Sequence, residues 1–158
     1  MRLHIREQVF SFGGAYDITN DDDVPVYYVE ARPFAFGKTL DVMDQSGGCI
    51  ATIHHKLFTL AQTYEILQNE QVIAVVEKEI FTFLNPRFTV EGEKGVYEMS
   101  GDWLNWEYEI YGNGQIAGQV TKEFALFQDR YVLDVADGAD ASFLICLTII
   151  MDEVTRHQ

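Results

Sequence analysis

At 158 residues the chain suits one domain with a substantial core and is short for two. A hydrophobic content of 47%, with Phe 11, Tyr 8 and Trp 2, excludes a disordered chain. The balance of 25 Asp and Glu against 11 Lys and Arg, a formal net charge of −14, sets a field that repels phosphate backbones and excludes nucleic acid as the expected partner.

The N-terminal stretch MRLHIREQVF holds no apolar segment of leader length. Cys49 and Cys146 form neither a disulfide framework nor a zinc-ligand spacing. A reducing cytoplasm is the expected compartment.

A unit then repeats along the chain: VFSFGGAYDI (9–18), PFAFGKTLDV (33–42), KLFTLAQTYEI (56–66), KEIFTFLNPRFTV (78–90), GDWLNWEYEI (101–110) and KEFALFQDRYVLDV (122–135). Each unit has a large apolar residue, a second one two positions later, a short break, and then an aromatic or leucine that opens another alternating strand. The leading residues are Phe10, Phe34, Phe58, Ile80, Trp103 and Phe124, spaced by 24, 24, 22, 23 and 21. Alternation at period two marks strands with one face in a core. Between units lie NDDDVP (20–25), DQSGG (44–48), QNEQ (68–71), EGEKG (91–95) and YGNGQ (111–115), with the Gly, Asn and Asp of tight turns; Asn113-Gly114 is a strong hairpin signal. Six two-stranded units give twelve strands, which must close or split because open twisted sheets rarely exceed about ten.

The last element is DASFLICLTIIMDEV (140–154), uncharged from Ala141 to Met151. As a helix, that run of 11 residues rises about 16 Å, against about 30 Å of bilayer hydrocarbon, so no transmembrane segment is expected. Asp140 is placed to cap it, and Arg156 favours the negative end of its dipole. A helix apolar on every side must be buried on every side. The predicted architecture is therefore a mainly β, twelve-stranded antiparallel barrel over residues 1–158, filled by a central helix at 140–154. A two-sheet sandwich with the helix on one side is the alternative.

Six hairpins followed by DGADASFLICLTIIMDEV resemble the LURP-one-related family, which belongs with the tubby C-terminal-like and phospholipid scramblase proteins. The similarity extends from REQVFSFGGAYDI through VYYVEARPFAFGKTLDV to the helix, and its most specific piece is an Asp entering an apolar helix that MDE leaves. The resemblance implies the same twelve-stranded barrel around a central helix. For function it implies less: tubby domains bind phosphoinositides through surface Lys and Arg, scramblases act on lipids with calcium and an added membrane segment, and bacterial members mostly lack an assigned role. This sequence departs from both in being strongly acidic and in having no long C-terminal membrane segment.

Three sets of residues are candidate sites. Arg32, Lys56, Lys78 and Lys122 each precede a leading apolar residue by two positions, so a regular barrel would bring them to one rim as an anion-binding ring. The simpler reading pairs them with Glu30, Glu77, Glu79 or Glu123. Asp134, Asp137 and Asp140 around Gly138 loosely resemble a calcium loop, although position twelve is Ile145 where an EF-hand needs a carboxylate; a turn and helix cap is the simpler reading. His54 and His55, adjacent on a strand, face opposite ways and are expected to be ordinary strand residues. Trp103 and Trp106 differ in parity, so one should face outward beside Tyr108 and Tyr111.

No P-loop, G-x-S-x-G elbow, HExxH or Cys-x-x-Cys occurs. The expected function is a non-enzymatic binding or scaffold domain, without a cofactor, that contacts anionic phospholipid or phosphate groups. The alternative is a regulatory domain that binds a protein partner without lipid contact, and a small hydrolase with a cleft at the rim stands third.

Overall fold

The computed structural model describes residues 1–8, 15–78, 88–102, 106–124 and 130–156. Strands β1 (Arg2–Glu7), β2 (Tyr16–Thr19), β3 (Pro25–Ala31), β4 (Thr39–Asp44), β5 (Cys49–Lys56), β6 (Thr63–Gln68), β7 (Gln71–Lys78), β8 (Phe88–Gly92), β9 (Gly95–Asp102), β10 (Glu107–Gly112), β11 (Gln115–Glu123) and β12 (Arg130–Val135) precede one helix, α1 (Ala141–Arg156). Each strand pairs antiparallel with its neighbour in sequence, and β1 pairs with β12, Leu3 opposite Leu133 and Ile5 opposite Tyr131, to close the barrel. The sandwich alternative is excluded.

Alternation decides which side chains turn inward. Leu3 and Ile5, Val29, Leu40 and Val42, Ala51 and Ile53, Ala74 and Val76, Ile110 and Leu133 are all buried, two residues apart where they share a strand. The turns foreseen between units are where the chain reverses. Asn113 and Gly114, for example, have φ values of 51° and 81°, the left-handed pair that a tight hairpin needs. A register shift recurs in β2, β4, β6 and β10 beside these turns, the local coiling that helps a ribbon wrap into a barrel.

Helix α1 fills the interior. Every residue from Phe143 to Val154 is buried, and the helix packs on β5 and β6 and on the opposite wall at β11 and β12. Asp140 caps its start as expected, accepting from the Phe143 N–H at 3.1 Å and from the Ser142 hydroxyl at 2.7 Å. Lys94, between β8 and β9, pairs with Asp140. Cys146 is buried in the helix and Cys49 exposed on β5; both are free thiols. Among the described residues, no helix is long and apolar enough to cross a membrane.

The structure extends one expectation and corrects another. The uncharged run ends at Met151, yet burial continues past it, with Asp152 and Glu153 2% and 4% exposed. The leading residues Phe34, Phe58 and Phe124 were expected in strands, yet they lie in connections and are exposed. The pattern Phe34-x-Phe36 mimics strand periodicity but belongs to a loop. Phe10, Ile80 and Trp103 lie outside the described residues.

Candidate functional site

Antiparallel order puts the β3–β4, β5–β6 and β11–β12 connections at the end of the barrel where α1 finishes, the helix-exit rim. The β2–β3, β4–β5, β6–β7, β8–β9 and β10–β11 turns lie at the helix-entry rim.

Beneath the exit rim is a buried polar layer. Tyr16, Tyr64, Tyr108 and Tyr131 open the even-numbered strands β2, β6, β10 and β12, and all four are buried. The Tyr16 hydroxyl donates to Asp152 Oδ2 at 2.9 Å and also lies 3.2 Å from Glu153 Oε1. Tyr131 donates to Asp152 Oδ1. Lys38 Nζ, from the β3–β4 connection, donates to Glu153 Oε2 at 2.6 Å. Burial, reinforced by the charge of Glu153, pushes the Tyr64 hydroxyl well above its ordinary range; Asp152 acts likewise on Tyr108. Acids at a helix C-terminus oppose the dipole, so these donors are what make their burial tolerable. The tyrosines were legible as the aromatic that opens each second strand, but their carboxylate partners were not.

The cation series is distributed around this rim. Arg32 makes a two-pronged contact with Asp41 across the β3–β4 ribbon, at 2.6 and 2.9 Å. Against the opposing pull of burial, Arg32 and Thr52 hold the Asp41 carboxyl below the usual range. Lys56 pairs with Glu65 at 3.1 Å, and Lys122 lies 3.9 Å from the centre of the Trp106 ring. Lys78 ends β7 opposite Phe88. The partners of Arg32 and Lys56 are thus cross-strand acids, not the neighbouring glutamates foreseen from sequence, because antiparallel pairing sets Asp41 and Glu65 nearer than any residue along the chain.

Apolar side chains sit above the cations. Phe34 and Phe36 in the β3–β4 connection and Leu57, Phe58 and Leu60 in the β5–β6 connection are exposed. The β3–β4 loop lies against the end of β5 and the loop that follows it: the His55 N–H donates to the Lys38 carbonyl at 2.9 Å, and a Cβ on Gly37 would meet the His55 carbonyl at 2.7 Å and the Leu57 side chain at 3.5 Å. On the other side of the rim, Trp106 and Phe124 meet edge to face. Tyr108, foreseen beside an outward Trp, is buried instead.

The entry rim has the opposite character. Its turns carry Asp21, Asp22, Asp23, Glu70 and Glu93, and the segment leading into α1 adds Asp137 and Asp140, with Lys94 as the accompanying base. The calcium candidates are dispersed there. Arg2 bonds Asp134 at 2.8 Å and holds its carboxyl below the usual range, Asp140 is engaged in capping, and Asp137 is exposed. Among the described residues no three His, Cys, Asp or Glu side chains are grouped to hold a metal. His54 Nδ1 lies 3.0 Å from the Thr39 hydroxyl, and His55 stacks on Tyr64.

A twelve-stranded antiparallel barrel threaded by a single helix is a distinct class of domain, and this chain has that architecture. The LURP-one-related family model matches residues 1–152, and the chain belongs to that family. It is 29% identical over 154 residues to the uncharacterised protein YxjI of Bacillus subtilis (strain 168), covering 98% of this chain and 93% of that one. The X-ray structure of a protein from Arabidopsis thaliana has the same fold, with a TM-score of 0.65 at 15% identity, covering 98% of this chain and 91% of the plant chain.

Proposed function

We propose that this is a non-enzymatic, cytoplasmic binding domain whose helix-exit rim contacts anionic phospholipid headgroups. The observation that carries this reading is the separation of charge between the two ends. Arg32, Lys38 and Lys56 gather on the adjoining β3–β4 and β5–β6 ribbons, while the entry turns hold a surplus of acid. Arg32 and Lys56 are already paired with the less exposed Asp41 and Glu65, but each cation is itself about half exposed and keeps donors open to solvent. A phosphate can displace or join those carboxylates.

Flotation with phosphatidylcholine vesicles, with and without phosphatidylserine, tests the reading. Binding should require the anionic lipid, weaken with salt, and fall in the Arg32→Gln/Lys56→Gln double variant. Equal flotation of variant and wild type would remove the cationic rim from the account. Binding to a protein partner with no affinity for either vesicle would replace lipid by that partner.

A further inference from the structure

We infer that Phe34, Phe36, Phe58 and Leu60 form a wedge that enters the interfacial layer of an anionic phospholipid bilayer. The inference rests on the lipid-contacting reading above and assigns it a second, apolar component.

The four side chains are 106%, 78%, 96% and 101% exposed. Single exposed apolar residues are ordinary, but several on two linked loops form a patch of the kind that marks an interaction site. Gly37 makes the linkage close, since a Cβ there would lie 3.5 Å from the Leu57 side chain and closer still to the His55 carbonyl. The patch is also held in an unfavourable backbone state. Phe34 and Phe58 have φ values of 60° and 64°, a region that bulky residues seldom enter and that Asn or Gly occupies more readily. Neither aromatic contributes burial to the fold, so folding alone gives no reason for a phenylalanine at either position.

Charge selects the occupant. The outermost layer is apolar, and just behind the tips stand Arg32 and Lys56, each about half exposed although paired with Asp41 and Glu65, and the partly exposed Lys38, which also holds Glu153. Apolar tips backed by cations match the order a bilayer presents from its acyl boundary outward to anionic headgroups. The turns with the larger acid surplus lie at the far rim, directed away from the membrane in this orientation, while Asp41, Glu65 and Glu153 on this side are each matched by one of the three cations. On the β9 to β12 side the exit rim carries Asp102, Glu107 and Glu123, so the barrel should tilt to present the β3–β6 side.

The test compares wild type with Phe34→Asn/Phe58→Asn, in which Asn suits the backbone while removing the apolar tip, and with the single variant Leu60→Ser. Each is floated with phosphatidylcholine/phosphatidylserine vesicles in 0.1 M and 1 M NaCl, with melting followed by circular dichroism to establish folding. At 1 M salt the screening length is about 3 Å, so what remains is chiefly apolar. Wild type should keep a salt-resistant fraction; the Asn double variant should lose it, with partitioning lowered about tenfold or more, and Leu60→Ser should lose part of it. Variants that float like wild type at both salt concentrations overturn the wedge and leave the headgroup contact standing. Failure of wild type to float with anionic vesicles at 0.1 M overturns both. A wild-type dimer that the Asn substitutions make monomeric, with flotation unchanged, makes the patch a self-interface and also overturns the wedge.

Discussion

The ammonium group of Lys38 stands 2.6 Å from Glu153 Oε2, so a loop of the exit rim is fastened to the closing turns of the central helix. The glutamate side chain is 5% exposed and the lysine 35%, which makes Lys38 the link between a buried charge and solvent. Replacing Lys38 with Met should leave Glu153 short of a cation. Removing one partner of a fully buried pair costs roughly 3–5 kcal/mol. With one partner partly exposed, a loss on the order of 2 kcal/mol is expected in urea unfolding. An unchanged midpoint would mean that Glu153 does not depend on this contact.

Asp152 draws on two tyrosines from different strands. Tyr16→Phe and Tyr131→Phe should each destabilise by about 1–3 kcal/mol, because each removes a donor to a buried carboxylate. Combining either with Asp152→Asn should cost less than the sum of the single changes, since the groups act as one network. Strict additivity in that thermodynamic cycle would show that the hydroxyls do not serve Asp152.

Phe34 and Phe58 should behave in the opposite direction. At a left-handed position an ordinary side chain is disfavoured by about 1–2 kcal/mol, and Asn or Gly relieves part of that. Phe58→Asn should therefore raise the denaturation midpoint, by an amount equivalent to roughly 0.5 kcal/mol, even as it weakens vesicle binding. A fall of similar size would show that the aromatic ring supports the fold after all.

Stability should decline in acid partly through Asp140, beside Asp41, Asp44 and Asp134, whose carboxyls are also held below the usual range. Burial opposes the charge of Asp140, but the Lys94 ammonium, the Ser142 hydroxyl and the Phe143 N–H together hold the carboxyl below its ordinary 3.8. A depressed native pKa means that the unfolded chain binds the proton first as pH falls. The contribution is complete above about pH 4 and is lost as pH drops through the native value. Asp140→Asn, which can still cap the helix, should flatten the stability profile below about pH 4 and leave its slope near neutrality unchanged. An identical acid limb in the variant would assign the transition to other carboxylates.

Much of this architecture is legible in the residues themselves. Alternation in LHI, DVM and ATIHH places Leu3, Val42 and Ile53 inside, and Asn113-Gly114 fixes a turn. The unbroken run from Ala141 to Met151 needs cover on every side, which favours a closed barrel over a sandwich that covers one face. Two features resist the same reasoning. Asp152 and Glu153 look like a solvated helix end, because the groups that donate to them, Tyr16, Lys38 and Tyr131, are distant in sequence and converge only when the barrel closes. Phe34-x-Phe36 looks like a strand because periodicity records spacing alone, and the left-handed turn at Phe34 is a property of the folded loop.

The pairing of β1 with β12 has a consequence for how the molecule comes into being. A ribosome partway through this chain has made ribbons, each greasy along one side, with no opposite wall to close the ring and no plug to press against. The seam that seals the cylinder joins residues on either side of more than a hundred others, as Arg2 joins Asp134, and the plug is translated after the seam's second half. Assembly thus waits until both β12 and α1 have been made. Until then, shielding those oily ribbons from one another falls to the cell and its chaperones.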